Sequence, residues 1–532
     1  MSKLTIILIL FAVCSFAWVQ GQDSILTLGN VSSDAEFLKE LDGFTALRRK
    51  EIRRFDLHTS FEPDIIHSRL HAAERIRDIG PGKSNKSRGY LYRKLRLEHF
   101  IKIDTGDFYL LVNPAFNYEA GKDLIDESGE QLYVNTRGLS FHGSVGSNVS
   151  FYSRLYENQA FFPAYLDDFV AEYGVVPGQG RIKTFKETGY DYAMSSGVIS
   201  FSPNKRLNIQ FGNGKQFLGD GYRSLALSRN AFNYPFVKFT AWFGPVQYTN
   251  LYMSLQNLNV ILPTSAVTER RFQKKIGTIH HLDWAINDQI TIGIFEQMIW
   301  GSSDSRGKFE MDADAWSFLN PVPFIWPIQY GLSDENNVLL GMNSKVMLPS
   351  KTMIYGQLVI DDLKANKNGF QLGVKSWSIK RLTWRLEFNQ VSPCTYAHSD
   401  STRNFAHYNQ PIAHPLGAGF SELSSIVQYS FRDFFVVLRA NYTNYYDDED
   451  QYHWGTDIFR SDNSKSRPLS SAKMATLLYQ SIRVGYEVNR VTGMRISMGF
   501  NNRTEKTVGG VGETQYVFLS FSANIPDRIY DF

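Results

Sequence analysis

Cysteine is scarce in this sequence: Cys14 and Cys394 are the only two among 532 residues. Cys14 lies in the apolar N-terminal segment, so the chain without that segment has a single thiol and cannot form an internal disulfide. Long hydrophobic runs are also missing beyond the N-terminus, which argues against a membrane protein built from helices. Hydrogen bonding and packing must therefore stabilise the fold.

Charge of one sign is not in excess, and the familiar catalytic and nucleotide-binding motifs are missing. Lys and Arg number 56 against 53 Asp and Glu, a formal net charge of +3, which gives no reason to expect a nucleic-acid partner. Neither Gly-x-Ser-x-Gly nor His-Glu-x-x-His occurs. A glycosidase carboxylate pair stays open in a chain with this many acids, but no pattern supports it. We expect that the protein is not an enzyme and binds no cofactor.

The first 21 residues have the pattern of a secretory signal peptide. A short basic start, Met1-Ser2-Lys3, precedes an apolar run from Leu4 to Trp18 and the residues Val19-Gln20-Gly21. The apolar run is shorter than the roughly 20 residues of a membrane-spanning helix. The residue just ahead of Cys14 is Val13, whereas a lipoprotein signal places a small residue there. We therefore predict cleavage before Gln22 and export, with no lipid anchor.

Two stretches of residues 22–88 have apolar residues near helical spacing, the first from Ser33 to Arg54. Ser33 and Glu36 have the spacing of a capping box at a helix start, and a second helical stretch runs from His67 to Arg77. Pro63 and Gly80-Pro81-Gly82 mark breaks. We predict a helical segment that lies in the periplasm, or plugs the barrel that follows it.

After Gly89 the apolar spacing changes to two, which is typical of strands with one polar and one apolar face. Residues 94–104 alternate in this way, with Leu95 and Ile101 on one face, and residues 108–112 follow the same pattern. Other predicted strands cover residues 149–155, 198–211, 236–243, 246–255, 278–286, 289–299, 351–363, 370–379, 382–391, 426–430, 434–442, 475–488, 494–501 and 515–523. Short polar turns between them require antiparallel neighbours.

So many strands without intervening helices have to close or split, because open twisted sheets rarely exceed about 10 strands. The high aromatic content, 14%, fits a barrel with aromatic girdles. We predict an all-β fold over residues 89–532: a transmembrane antiparallel up-and-down β-barrel of about 16–18 strands. The terminal Phe532 is interpreted as the final aromatic of the last strand, with Pro526 near a strand end. A soluble array of sandwiches is the alternative.

Three segments carry candidate site residues. The glycines of residues 212–225 have the wrong spacing for a phosphate loop. Three histidines in residues 396–417 lack the partners of a recognisable metal site, and their aromatic and amide neighbours suit a sugar-contacting or rigid loop better. The acidic run 447–450 is interpreted as a solvated loop, with a calcium bridge to lipopolysaccharide as the alternative. The candidate residues, for polysaccharide contact or for loop structure, are Asp220, Tyr222, Arg223, Tyr396, His398, His407, Tyr408, Asn409 and His414.

Residues 211–228, 157–163 and 396–417 together resemble the Wzi family of capsule-assembly proteins, and more closely its Bacteroidetes branch of RemB-like gliding-motility proteins. The resemblance covers about residues 90–532, and Gly219-Asp220-Gly221-Tyr222-Arg223-Ser224-Leu225 is its most specific part. It implies an outer-membrane barrel with a periplasmic helical element and no catalysis. Capsule-branch members hold exopolysaccharide, and gliding-branch members serve surface motility. Cys394 departs from the pattern, because an aromatic residue is expected there.

Two functional hypotheses follow. The first is a surface protein for exopolysaccharide (capsule) attachment, gliding motility or both, with outer-membrane lipid, lipopolysaccharide, exopolysaccharide and motility or adhesin proteins as partners. The second is a channel for small solutes, motivated by Arg96, Glu98 and Lys102, which the alternation places on the wet face of a strand.

Overall fold

The computed structural model of the protein describes residues 89–532, except residues 128, 147, 205, 263–270, 288, 302–318, 331–335, 449–451, 463–468 and 527. The predicted signal peptide, residues 1–21, and the predicted helical segment, residues 22–88, lie outside the described residues.

The described chain forms a closed antiparallel barrel of 18 strands, which confirms the predicted fold and strand number. The strands, including four short ones (β1, β5, β16 and β17) that are not part of these 18, are β1 (Ile101–Asp104), β2 (Phe108–Asp123), β3 (Leu132–Val145), β4 (Val149–Phe161), β5 (Lys183–Phe185), β6 (Gly189–Asn204), β7 (Leu207–Gly214), β8 (Tyr234–Phe243), β9 (Val246–Leu262), β10 (Arg271–Ala285), β11 (Ile290–Trp300), β12 (Asn337–Leu348), β13 (Thr352–Asp362), β14 (Lys367–Ser376), β15 (Leu382–Val391), β16 (Ala406–His407), β17 (Gln410–Pro411), β18 (Phe420–Phe431), β19 (Phe434–Tyr446), β20 (Met474–Asn489), β21 (Met494–Thr507) and β22 (Gly510–Ala523). The barrel closes where β2 pairs with β22, from Phe116 opposite Ala523 to Asp123 opposite Tyr516.

Three short α-helices accompany the barrel: α1 (Tyr90–Arg96), α2 (Ala164–Tyr173) and α3 (Ile325–Tyr330). None of the helices in the described part of the chain is long and apolar enough to cross a membrane.

Side chains alternate between the lumen and the outer wall along each barrel strand. In β13 the residues Met353, Tyr355 and Gln357 are buried, whereas the outward-pointing Ile354 and Leu358 are exposed. An apolar outer face of this kind is what lipid contact requires, and it is the opposite of a soluble barrel. The polar residues that are buried on the inward face must find hydrogen-bond partners within the lumen.

The two ends of the barrel differ. At the short-turn end, tight connections such as residues 146–148, 244–245 and 432–433 join neighbouring strands. At the long-loop end several connections are much longer, among them residues 162–188, 215–233, 392–419 and 447–473. The short turns lie at the same end as the start of β2 and the end of β22.

Two sequence-based strand predictions were wrong. Residues 94–104 are not one strand: the first three belong to α1, whose end is tied down by Glu98, 3.1 Å from Arg93 and 3.3 Å from Lys94. Arg96 donates to the Tyr486 hydroxyl at 2.6 Å, and Glu98 pairs locally. The prediction that both lie on the wet face of a strand is therefore wrong. Only Lys102 lies in a strand, the short β1.

The second wrong prediction is the single strand at residues 198–211, which is the hairpin of β6 and β7. The chain turns where the Asn204 side chain accepts a hydrogen bond from the Arg206 amide at 2.8 Å. Strands β3 and β12 were not predicted at all, because glycine, serine and asparagine interrupt their apolar alternation.

The C-terminal tail also corrects a prediction. The last strand ends at Ala523, and the described residues after it, 524–526 and 528–532, turn inward rather than continuing the strand, so Phe532 is not the final strand residue. Its ring lies 5.5 Å from that of Phe169 in α2. Pro526 lies beyond the strand end, as predicted. Pro114, within β2, falls between the segments of β2 that pair with β1 and with β22, so its missing N–H removes no ladder bond.

Candidate functional site in the barrel lumen

Two connections from the long-loop end fold into the lumen and carry most of the predicted site residues. Residues 215–233 and 392–419 contribute Leu218, Leu225, Tyr396 and Phe405 to one buried apolar cluster shared with the barrel wall. This packing fixes the backbone of both connections. The polar side chains next to it are therefore held in defined positions.

Arg223 is the centre of a charge network in the lumen. Its Nη2 atom lies 3.0 Å from Asp531 Oδ1 in the C-terminal tail and 3.4 Å from Glu422 Oε1 on β18. The Arg223 side chain is 1% exposed, so these carboxylates supply the partners that a buried charge needs. The tail, a barrel strand and the 215–233 connection thus meet at one guanidinium.

Glu387 on β15 holds the same connection through its backbone. The amides of Tyr222 and Arg223 donate to the two carboxylate oxygens of Glu387 at 2.6 and 3.0 Å. The Tyr355 hydroxyl donates to Glu387 as well, at 2.7 Å. Charge-assisted bonds of this type are stronger than neutral ones, so the turn at Tyr222 is rigidly positioned.

Asp531 anchors the C-terminal tail. It accepts hydrogen bonds from the Tyr222 hydroxyl at 2.6 Å and from the Asn441 side-chain amide at 2.8 Å, and Arg439 Nη1 lies 3.6 Å away. Burial alone would raise the pKa of Asp531, but attraction to Arg223 and Arg439 and the bond from Tyr222 outweigh it and lower that pKa. Asp531 is therefore charged at neutral pH.

His414 ties the second connection to the network. Its Nε2 atom lies 2.9 Å from Glu422 Oε2, and its ring stacks on Phe420 at 4.2 Å between centroids. Since Glu422 also pairs with Arg223, one inward carboxylate of β18 holds both connections. Asp220 is fixed separately, by an ion pair of 2.9 Å with Lys345 on β12.

Tyr396 is fully buried and structural. Its hydroxyl donates to the Leu225 carbonyl at 2.7 Å, and its amide donates to Asp361 Oδ2 at 2.8 Å. The neighbouring Cys394 is buried against Gly455, where a Cβ atom would lie 2.5 Å from its sulfur. His398, half-buried, accepts from the Asp400 amide at 3.1 Å.

His407, Tyr408 and Asn409 form the tip of the β16–β17 hairpin. His407 accepts from the Gln256 amide at 2.9 Å through Nδ1 and is 3.1 Å from the Asn233 carbonyl through Nε2, and burial lowers its pKa to about 3. The neutral ring thus bridges the hairpin and β9. Tyr408 packs 4.8 Å from Phe232, and Asn409 donates to the Tyr173 carbonyl at 3.1 Å.

The acidic segment is partly structural. Asp448 accepts from the amides of Trp454 and Asp457 at 2.5 and 2.9 Å, so it organises the 447–473 connection, and Glu449 and Asp450 lie outside the described residues. Over the residues that the structure describes, no group of three or more His, Cys, Asp or Glu side chains is arranged to hold a metal.

A cavity of about 230 Å³ lies in the lumen between the 162–188 and 215–233 connections, the β17 region and the C-terminal tail. Of the nine predicted residues, Tyr222 lines it; the others make the internal contacts described above. Sequence reasoning missed Glu387, Glu422 and Asp531, which hold the loops, and Arg154, which lines the cavity. Strand alternation places Glu387 and Arg154 on inward faces, whereas Glu422 precedes the predicted strand 426–430. Nothing in the sequence pairs these residues with a loop.

Comparison with known proteins identifies the fold. No protein-family model matches the sequence, and no curated protein matches it. The solved structure of Wzi, an outer-membrane protein involved in group 1 capsule assembly in Escherichia coli and a carbohydrate-binding β-barrel, is similar with 15% identity and a TM-score of 0.54. The match covers 95% of this chain and 100% of that chain. Pseudomonas aeruginosa OprD matches over 81% of this chain and 98% of that chain, with 10% identity and a TM-score of 0.42. The protein thus has the fold of a Wzi-like outer-membrane β-barrel.

Proposed function

We propose that this protein is a non-enzymatic outer-membrane protein that attaches exopolysaccharide at the cell surface through its long-loop end. The observation that carries the proposal is the filled lumen, in which two long connections and the C-terminal tail are tied together at Arg223. Loops that are fixed in this way present a pre-organised surface, which lowers the entropic cost of binding a flexible polymer. The carbohydrate binding of the structurally similar Wzi barrel supports the same proposal.

The cellular role that we propose is capsule attachment, gliding motility or both, as the sequence resemblance to RemB-like proteins implies. In this role the short-turn end faces the periplasm and the long-loop end faces outward, the usual orientation of outer-membrane barrels. A cleaved signal peptide delivers the chain, and lipopolysaccharide surrounds it. Motility or adhesin proteins are the protein partners of the gliding role.

A deletion strain tests the proposal through two separate phenotypes. Loss of cell-attached polysaccharide with free polysaccharide in the medium supports capsule attachment, and loss of surface spreading with an intact capsule supports gliding. Normal capsule and normal spreading together contradict both roles. Retention of the purified full chain on immobilised exopolysaccharide from the same strain gives the corresponding binding measurement.

A pair of tyrosine variants locates the binding end. Tyr452 lies in the 447–473 connection, with its ring 6.0 Å from Trp454, whereas Tyr429 is an exposed outward residue of β18 near the short-turn end. Tyr452→Ala removes an aromatic face of the kind that packs on sugar rings, so we expect weaker retention on polysaccharide. Tyr429→Ala is the matched control and should retain normally. Equal retention of both variants would indicate that the polysaccharide does not bind to this connection.

A channel for small solutes is the second candidate. The lumenal cavity and its cationic lining favour it, because an open path through such a lumen would select anions. Steady single-channel conductance of the purified full chain in a planar bilayer would support this candidate, and its absence would leave the attachment proposal.

A further inference from the structure

The lumenal cavity is lined by many basic side chains. Six cationic side chains line it, and among the described residues no Asp or Glu side chain does so. They are Arg154, Lys215, Arg229, Arg385, Arg439 and Arg528. Low-dielectric walls focus such a field, so the cavity attracts anions.

Two negative charges beside the cavity are engaged by arginine side chains. Asp531 lies 3.0 Å from Arg223 as well as 3.6 Å from Arg439. The main-chain oxygen of the terminal Phe532 accepts from Arg503 Nε at 3.3 Å. The described lining therefore holds more basic than acidic side chains, which favours an anionic ligand.

Several buried polar atoms of the lining make no hydrogen bond to the described residues. One is the donor Arg154 Nε, on a side chain that is 5% exposed. Acceptors among them are Gln179 Oε1, Asn230 Oδ1 and Asn233 Oδ1. The amide nitrogens of Asn230 and Asn233 donate to backbone carbonyls at 2.7 Å each, which fixes where their oxygens point. Buried groups of this kind are unfavourable unless a ligand or water satisfies them.

The lining also includes the aromatic side chains Tyr152, Tyr156, Phe169 and Phe217. Aromatic faces pack against the C–H faces of sugar rings, amide oxygens accept from sugar hydroxyls, and guanidinium groups donate to carboxylates. A volume of about 230 Å³ lies below the roughly 300–1,000 Å³ of sites for drug-sized ligands, so the ligand is small.

From this combination we propose that the lumenal cavity binds a single carboxylated sugar residue of the hexuronate class, with its carboxylate at Arg154 and its hydroxyls at the amide oxygens of Asn230 and Asn233. The site is inside the barrel and distinct from the long-loop surface, so the proposal does not depend on polysaccharide attachment there. The residue is either a free sugar acid or the end of an acidic chain.

Calorimetric titration of the purified full chain in detergent tests the proposal, with sodium glucuronate as the probe and glucose as its neutral counterpart. We expect glucuronate to bind, glucose to bind at least about tenfold more weakly, and high salt, about 1 M, to weaken only the glucuronate interaction. No binding of glucuronate, or equal binding of glucose, would overturn the proposal. A uronate trisaccharide separates the sources: binding as tight as the monomer indicates a chain end, and binding of the monomer alone indicates a free acid.

Two arginine variants place the ligand. Arg154→Gln should weaken glucuronate binding about tenfold or more, because a charge-assisted hydrogen bond is lost. Arg137 is the matched control: it lies on the neighbouring β3, points outward and donates to Gln159 at 2.8 Å, so Arg137→Gln should bind as the unmodified chain does. Arg154→Lys keeps the charge but loses the guanidinium donors, so its affinity should lie between those of the unmodified chain and Arg154→Gln. It replaces Arg154→Gln if that variant does not fold. Affinity equal to that of the unmodified chain in a folded Arg154→Gln variant would contradict the assigned site, and so would equal affinity in Arg154→Lys where Arg154→Gln does not fold.

Discussion

The outer wall and the lumen of this barrel are stabilised in different ways. Outward residues such as Ile354 and Leu358 are exposed, and in the proposed outer-membrane location they face lipid, so they need only be apolar. Lumenal residues depend on partners that are far away in the chain: Arg223 and Asp531 are separated by 308 positions. The stability cost of a substitution in the wall should therefore depend on the polarity of the new side chain. The cost of a substitution in the lumen should depend on which specific partner is lost.

The largest effect is expected in the lumen. Arg223→Gln leaves Asp531 and Glu422 without their shared cation, and removing one partner of a buried ion pair costs about 3–5 kcal/mol. Denaturant unfolding of the purified barrel in detergent measures this loss, and Arg137→Gln on the outer wall is the control. A loss below about 1 kcal/mol, the value of an exposed pair, would show that the network does not stabilise the fold.

The next effect concerns the wall. Leu358→Arg places a charge where the side chain points to lipid, and such a change costs about 2–4 kcal/mol near the bilayer midplane. Leu358→Met keeps the position apolar and should be close to neutral. The free energy of unfolding in lipid vesicles measures both variants. Equal stability of the two would contradict the assignment of this face to lipid.

A smaller effect is expected from acid. The pKa of Asp531 is lower in the folded chain than its unfolded value of about 3.9, so its stabilising contribution is complete above that value and is lost as the pH falls through the folded pKa. Protonation of Asp531 leaves Glu422 as a partner of Arg223, so the loss should be less than that of Arg223→Gln.

The pH dependence is measured as the difference in melting temperature between the unmodified chain and Asp531→Asn. We expect this difference to be constant from pH 7 to about pH 5 and to shrink below about pH 4. A difference that grew on acidification would mean that Asp531 is protonated in the folded chain at neutral pH.

The smallest effect is expected at the short-turn end. Glu98 pairs with Arg93 and Lys94 on partly exposed side chains, so Glu98→Gln should cost less than about 1 kcal/mol. Thermal unfolding of Glu98→Gln and of Arg223→Gln, each compared with the unmodified chain, measures the difference between the two sites. A cost similar to that of Arg223→Gln would contradict the contrast between the barrel end and the lumen.

Strand alternation made the wall predictable from the sequence. In β15 the pattern of Leu382, Trp384 and Leu386 against Arg385 and Glu387 indicates which face is outward from the residue types alone. The pattern failed where apolar residues also alternate in a helix end, as in α1, and where a short turn at Asn204 joins two strands. The local sequence therefore does not distinguish α1 or the turn at Asn204 from a continuous strand.

The lumen was much less predictable. The Gly-rich and His-rich segments were correctly singled out as organised loops, but their partners come from elsewhere in the chain, such as Glu387 and Glu422 on the barrel strands. Residues 528–532 looked like the end of a strand, because the apolar and aromatic spacing is the same. The tail instead turns inward because Asp531 is buried against Arg223, a partner 308 positions away that the local sequence does not mark.

The most direct test of the filled lumen is planar-bilayer recording of the purified full chain beside a chain that ends at Asn524. If the tail and two connections, tied at Arg223, fill the lumen, the full chain should show no steady conductance. The shortened chain should then show open-channel steps. Steady conductance of equal size in both chains would contradict a lumen filled in this way.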